Sequence, residues 1–131
     1  NAYASFRDDR QHGDGVVLAA QEWFRDNLSH PTPVDAAVRA SGLPARSFHR
    51  RFRRATGHTP IQYLHRVRVE HAKDLLESGD ETVDAVAWRV GYEDVANFRQ
   101  LFRRLTGLAP AHYRKAFRTP PNIAAQLPSR G

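Results

Sequence analysis

"GYEDVANFRQLFRRLTGLAP", Gly91 to Pro110, decides the fold because the chain holds a second version of it. Phe48 to Pro60 reads "FHRRFRRATGHTP". Phe48, Phe52, Arg53, Arg54, Thr56, Gly57, Pro60 and Tyr63 recur as Phe98, Phe102, Arg103, Arg104, Thr106, Gly107, Pro110 and Tyr113, each 50 residues later. Upstream, Val34, Asp35, Ala36 and Gly42 recur as Val83, Asp84, Ala85 and Gly91, 49 residues later, which puts one extra residue in the turn after Gly91. Each copy reads as a short helix, a Gly turn, a basic helix, then a Gly and a Pro-started helix. A short helix, a tight Gly turn and a second helix make a helix-turn-helix layout. Two copies are too few for a solenoid. They suit two similar lobes joined by a helix.

Outward from the repeat, the chain reads as all-α, with seven helices. Turn punctuation separates segments of helical period, and no stretch alternates apolar and polar residues for long. The first helix runs from Gly15 to Leu28, capped by Asp14, with Val16, Ala20, Trp23, Phe24 and Leu28 on one stripe. The second follows Thr32 and stops at Gly42; the third covers Pro44 to Thr56. The fourth starts behind the cap Thr59 and runs to Ser78, with an apolar stripe of Ile61, Leu64, Val67, Ala72, Leu75 and Leu76. The fifth lies between Thr82 and Gly91, the sixth between Asp94 and Thr106, and the seventh from Pro110 to Phe117. The domain reading is a flexible linker at 1–13, a working unit at 14–118 and a flexible tail at 119–131. Within the unit, the first lobe covers 14–57, the linking helix 59–78 and the second lobe 82–118.

Composition narrows the function classes. The 131 residues suffice for one domain, or two very small ones sharing a connection. Lys plus Arg number 20 against 14 Asp plus Glu, and only Lys73 and Lys115 are lysines. Arginine-rich basic surfaces favour planar, bidentate anion partners, phosphate above all. Cysteine is absent, which excludes disulfides, thiolate metal sites and Cys nucleophiles in this chain. No apolar run approaches the ~20 residues of a membrane span, and no signal peptide is present, so a cytoplasmic setting is expected. Methionine is also absent, and the chain is expected to be a piece of a larger protein. Seven histidines give no i, i+4 pair on an expected helix, so neither a metal nor another cofactor is expected. His65 and His112 read as ordinary surface or interface residues, and Trp23 and Trp88 as core. "HGDG" at 12–15 lacks the strand that a phosphate loop needs.

The two basic helices each have two faces at ~100° per residue. Phe48, Phe52 and Ala55 lie together, with Arg46, Arg50 and Arg53 almost opposite and His49 and Arg54 on the flanks. In the second copy Phe98, Leu101, Phe102 and Leu105 form the apolar face. Ala96, Gln100 and Arg103 lie opposite, flanked by Asn97, Arg99 and Arg104. An Arg-rich stripe on a half-buried helix suits the DNA major groove, where Arg can hold guanine and Gln adenine bidentately. The alternative is a solvated amphipathic helix, which two matched copies behind Gly turns make less apt.

These residues resemble the C-terminal DNA-binding domain of AraC/XylS-type transcription regulators. "VDAVAWRVGYEDVANFRQLFRRLTGLAPAHY", Val83 to Tyr113, is similar to the second helix-turn-helix signature of that family, through Ala87, Gly91, Tyr92, Phe98, Phe102, Gly107, Pro110 and Tyr113. The first copy matches as well, including Arg66, Arg68, Ala72 and Leu75 along the linking helix, and the resemblance covers residues 15–117. The wording around Gly91 is most like the branch whose N-terminal half is an amidase-like (DJ-1/PfpI) domain. Pro44 departs from the family pattern, where a Ser or Thr caps the helix. Arg51 departs too, replacing the apolar residue that Leu101 supplies in the second copy.

The resemblance implies two lobes, each presenting one recognition helix, spanned by the fourth helix. It assigns base reading to Arg46, His49 and Arg50 in the first copy and to Ala96, Asn97, Arg99 and Gln100 in the second. Arg53, Arg54, Arg103 and Arg104 sit one turn further on and are assigned to phosphates. Helix starts near Pro44, Thr59, Asp94 and Pro110 offer backbone N–H groups to phosphate or are simply capped. The implied partners are double-stranded DNA carrying an asymmetric tandem site, RNA polymerase, and an N-terminal effector or dimerisation domain outside this chain. Two other classes compete. The same module occurs fused to an alkyl-transfer DNA repair enzyme, but that chemistry needs cysteines this chain lacks. The other is an RNA-binding or purely protein-interaction module; RNA readers show aromatic-bearing sheets or Gly-rich clamps, and neither appears in this sequence.

Overall fold

The computed structural model describes residues 6–118. Seven helices follow in order: α1 Gly15–Asp26, α2 Pro33–Ser41, α3 Ala45–Thr56, α4 Pro60–Ser78, α5 Val83–Arg89, α6 Val95–Thr106 and α7 Pro110–Phe117, with no strand among the described residues. Local chemistry sets their ends. Asp14 accepts hydrogen bonds from the Val16 and Val17 N–H groups at the start of α1. Thr59 and Gln62 form a capping box ahead of α4, and Pro60 fits the first turn because its missing N–H would have no helical partner there. α3 and α6 end alike. Gly57 and Gly107 take left-handed φ of 80° and 85°, and the Thr56 and Thr106 hydroxyls each donate 2.8 Å to the carbonyl four residues back. The repeated Thr-Gly pair is thus a helix stop.

Two cores form, and they share no residue. The first gathers Val17, Ala20, Phe24, Ala37, Phe48, Phe52, Tyr63, Leu64 and Val67 from α1 to the first half of α4. The second gathers Val69, Ala72, Leu76, Val86, Ala87, Val90, Tyr92, Phe98, Phe102 and Tyr113. α4 therefore buries one face in each lobe rather than one continuous stripe. That corrects the expectation for Ile61, which is 48% exposed. Trp88 is corrected too: it is 57% exposed. At ~100° per residue Val83, Val86, Ala87 and Val90 fill the buried side of α5, and Trp88 falls opposite them. Trp23 is half-buried, edge-on to Phe24 at 5.9 Å and to His30 at 5.4 Å.

Residues 6–13, read from the sequence as linker, are not helical but make specific contacts with the first lobe. Phe6 packs edge-on to Tyr63 at 5.7 Å. Gln21 has no exposure, and its amide is satisfied by the His12 ring at 2.8 Å, the Asp9 carbonyl at 2.9 Å and Asp8 at 3.2 Å. Asp8 also accepts from the Tyr63 hydroxyl and pairs with Arg25. A buried glutamine needs such partners. The residues expected at the two extremes, 1–5 and the tail 119–131, lie outside the described residues.

Candidate nucleic-acid interface

Phe48 and Phe52 anchor α3 with no exposure, and Phe98 and Phe102 do the same for α6. At helical period this turns the opposite face outward. Arg46, His49, Arg50, Arg53 and Arg54 are all exposed on α3, as are Ala96, Asn97, Arg99, Gln100, Arg103 and Arg104 on α6. Exposure alone does not distinguish reading from solvation. None of Arg46, Arg50, Arg53, Arg54, Arg103 and Arg104 is ion-paired among the described residues, and neither are Arg7, Arg39, Arg66, Arg68 and Arg114, whereas acidic partners engage Arg10, Arg25, Arg51, Arg89, Arg99 and Arg118; what marks the six is their clustering on α3 and α6. Six arginines without carboxylate partners on two matched faces form an anion-seeking surface.

Arg99, His49 and Arg51 on these helices have internal partners. Arg99 pairs with Asp84 on α5 at 3.1 Å, both half-exposed, so base contact by Arg99 requires breaking that pair. The His49 ring donates from Nδ1 to the Ala45 carbonyl at 2.8 Å, which leaves Nε2 facing outward. Arg51 is held by Asp14 through two bonds, Nε to Oδ2 at 3.1 Å and Nη2 to Oδ1 at 2.9 Å. The Arg51 hydrogen bond leads the causes that hold the Asp14 carboxyl below its ordinary value. Arg51 thus ties α3 to the start of α1, which accounts for arginine where the second lobe has Leu101.

The helix starts differ as well. Pro44 gives α3 no side-chain cap, and α3 begins at the next residue, Ala45. α7 likewise has no side-chain cap at Ala109. By contrast Asp94 accepts from the Asn97 N–H at the start of α6, and Thr59 closes α4. Of these four starts, those of α3 and α7 lack a side-chain cap, as the start of α2 does too.

A basic cleft runs between the lobes beside the α6 face. Its walls are His58 from the α3–α4 turn, Gln62, His65 and Arg66 from α4, and Leu101, Arg104 and Leu105 from α6. It continues past Tyr92 to Asn97 and Gln100. Burial pushes the His65 imidazole down, and Arg68 and Arg104 push the same way; burial and Arg66 do so for His58. From the sequence, Arg66 matches the family pattern without a role and His65 reads as an ordinary surface or interface residue. The hydrogen bond of His65 to the Tyr92 hydroxyl at 2.7 Å joins residues 27 apart in sequence, and no local signal marks it. Among the described residues no group of three or more His, Cys, Asp or Glu side chains is placed to hold a metal ion.

This arrangement of two anchored, outward-facing basic helices is that of a helix-turn-helix DNA-binding domain. The chain belongs to the helix-turn-helix domain family, whose model matches residues 37–116. Its fold is that of the AraC-type domains: it is similar to the DNA-binding domain of AdpA, the global transcriptional factor, solved in complex with a target DNA. That likeness has 36% identity and a TM-score of 0.75, over 79% of this chain and 94% of that one. A probable AraC family transcriptional regulator from Rhodopseudomonas palustris aligns at 25% identity and a TM-score of 0.71, over 81% of this chain and all of that one. The HTH-type transcriptional activator RhaS of Salmonella paratyphi B is 30% identical over 112 residues. That match takes in 86% of this chain but only 40% of the relative's length.

Proposed function

We propose that the chain is the DNA-binding part of a transcription regulator and holds double-stranded DNA sequence-specifically, with α3 and α6 in successive major grooves. The observation that carries this is the pair of matched, Phe-anchored helices whose outward arginines, Arg99 apart, have no carboxylate partners. α4, with 19 residues, is ~28 Å long, near the ~34 Å between successive major grooves on one side of a duplex. Arg46, His49 and Arg50 read bases from α3, and Ala96, Asn97, Gln100 and Arg99, once freed from Asp84, read them from α6. Arg53, Arg54, Arg103 and Arg104 neutralise phosphates and set the register. Because the two reading faces differ, a single chain reads an asymmetric tandem site. The parent protein, on this reading, adds an N-terminal effector or dimerisation domain, of the amidase-like kind, and touches RNA polymerase in the cytoplasm. Among the described residues no helix is long and apolar enough to cross a membrane.

The test is selection of bound duplexes from a random pool, followed by titration of the selected duplex against an RNA duplex of the same sequence. A tandem motif with two half-sites and preference for DNA is the expected result. With ~6–8 phosphates neutralised, log K falls against log salt with a slope of about −5 to −7. A slope near zero, or equal affinity for RNA, would falsify the proposal.

A further inference from the structure

Two separate cores on one helix pose a mechanical problem. Two readers match a fixed pair of grooves only if the lobes keep one mutual orientation, and the cores themselves share no residue that could enforce it. Among the described residues one polar junction crosses the seam. Arg68, at mid-α4, is only 7% exposed. Its Nε and Nη2 both donate to the Leu28 carbonyl, just past α1 in the first lobe, at 3.0 and 2.6 Å. Its guanidinium lies 5.1 Å from the ring centroid of Tyr92, in the turn before α6 in the second lobe. The other face of the junction is closed by His65, which stacks on Tyr92 with 10° between ring planes. Gly91 lets the three meet: a Cβ there would stand 2.2 Å from the Leu28 oxygen and 2.8 Å from Arg68 Nε.

The chemistry of this junction is unusual for a stabilising one. Arg68 has no carboxylate partner among the described residues. A carbonyl beyond a helix C-terminus and an aromatic face hold the cation instead. Both are directional: the planar fork fits the carbonyl in one plane, and the ring accepts the cation over its face. A lysine would keep the charge but lose the fork.

We infer that Arg68 is a positioning residue that sets the half-site spacing the domain accepts, by pinning the Leu28 end of the first lobe to the Gly91–Tyr92 turn of the second. This rests on the two-groove reading above. Arg68 itself touches no DNA. Its effect appears only when both half-sites must be held at once, where the gain comes from the effective concentration that a stiff link provides.

The experiment uses the 131-residue chain and the duplex selected from the random pool, with its half-sites re-spaced by one and two base pairs in either direction, and each half-site alone. Wild type is expected to show a sharp optimum. Arg68→Ala is expected to lose ~10-fold at the optimal spacing, keep its affinity for single half-sites, and bind the re-spaced duplexes about as well as the original. Arg68→Lys is expected to flatten the profile partially while leaving the fold intact. If Arg68→Ala does not fold, Tyr92→Leu replaces it, since it keeps apolar volume and removes the aromatic face and the His65 bond. A profile of unchanged shape in folded variants, with any loss equal across spacings and single half-sites, overturns the inference. Wild type that selects no duplex sinks the DNA reading itself, a separate failure seen before any variant is made.

Discussion

The two lobes repeat one plan, yet their turn glycines stand in opposite surroundings. Gly42 has a φ of 72°, and a Cβ there would meet nothing within 4 Å. Gly91 has a φ of 104° and faces backbone and guanidinium. The extra residue after Gly91 lengthens the turn from two residues ahead of α3 to three ahead of α6 and brings Tyr92 inward. One glycine serves its own turn; the other also admits the neighbouring lobe. The faces proposed to read bases differ in a parallel way. The first lobe presents Arg46, His49 and Arg50 from an uncapped helix. The second presents Ala96, Asn97 and Gln100 from a helix capped by the Asp94 carboxylate, with Arg99 drawn back to Asp84. The two copies keep their core phenylalanines and Thr-Gly stops and differ on the faces proposed to read bases.

The strongest test of equivalence lies in the cores. Phe52→Ala and Phe102→Ala each remove a fully buried ring from matching positions, and each is expected to cost ~3–5 kcal/mol. Because the clusters are disjoint, the losses should add in the double variant. Hydrogen exchange resolved by residue would show each variant opening its own lobe first. Equal opening of both lobes by either substitution would mean that the two cores behave as one unit.

The glycines are next in size. Gly42→Ala meets only backbone strain, ~1 kcal/mol. Gly91→Ala adds a clash with the Leu28 carbonyl, so ~2–4 kcal/mol is expected. Urea unfolding midpoints of the two variants give the comparison directly. Similar midpoints would show that the seam yields easily and that Gly91 is a turn residue like its counterpart.

Specificity separates the readers on a smaller scale. Arg50→Ala is expected to lose ~1–3 kcal/mol on the selected duplex and to relax one base pair in the first half-site. Gln100→Ala should do the same in the second half-site. Arg53→Ala should instead weaken binding to every sequence about equally and lower the salt slope by about 1. Indistinguishable behaviour of Arg50→Ala and Arg53→Ala across a panel of duplexes would erase the division between reading and positioning side chains.

Much of this was legible in the sequence because the information was local. Gly and Pro punctuation, Thr and Asp caps, and Phe pairs four residues apart placed seven helices within a residue or two of their observed ends. The outward faces of α3 and α6 followed from the same period. The failures came from long-range packing. Ile61 looked buried because α4 was read with a single stripe, while it serves two cores. Trp88 reads as core, but Val83, Val86 and Ala87 on seven-residue α5, with Val90 just past it, already fill the inner face. Gln21 carries no local signal of burial, since only its contacts with residues 8–12 make that burial tolerable. The Arg68 junction draws on residues 28, 65, 68, 91 and 92, and no window of helical period contains them all.

The smallest expected effect distinguishes the seam from both lobes, and it depends on pH. His65 falls at the repeat position of exposed Lys115, so the second lobe has no equivalent group. The imidazole is pushed down first by burial and then by Arg68 and Arg104, while its Nδ1 meets the Tyr92 hydroxyl. The phenol is itself pushed up to about 12 by burial and stays neutral over this range. A folded value below the unfolded one means that the unfolded chain takes up the proton more readily. The stability tied to neutral His65 is therefore complete above the unfolded value, near 6.5, and is lost as pH falls through the folded value. His58 in the same cleft shifts in the same direction, from burial and Arg66, and contributes over the same window. Unfolding midpoints measured from pH 7.5 down to about 5 should decline for wild type and decline less for His65→Gln, which keeps a hydrogen-bonding group but does not titrate. Phosphate brought into the cleft by DNA would raise both imidazole values, so binding should take up protons at pH 6, read as a dependence of binding heat on buffer ionisation. Equal pH slopes for wild type and His65→Gln would show that the seam is indifferent to the charge of His65.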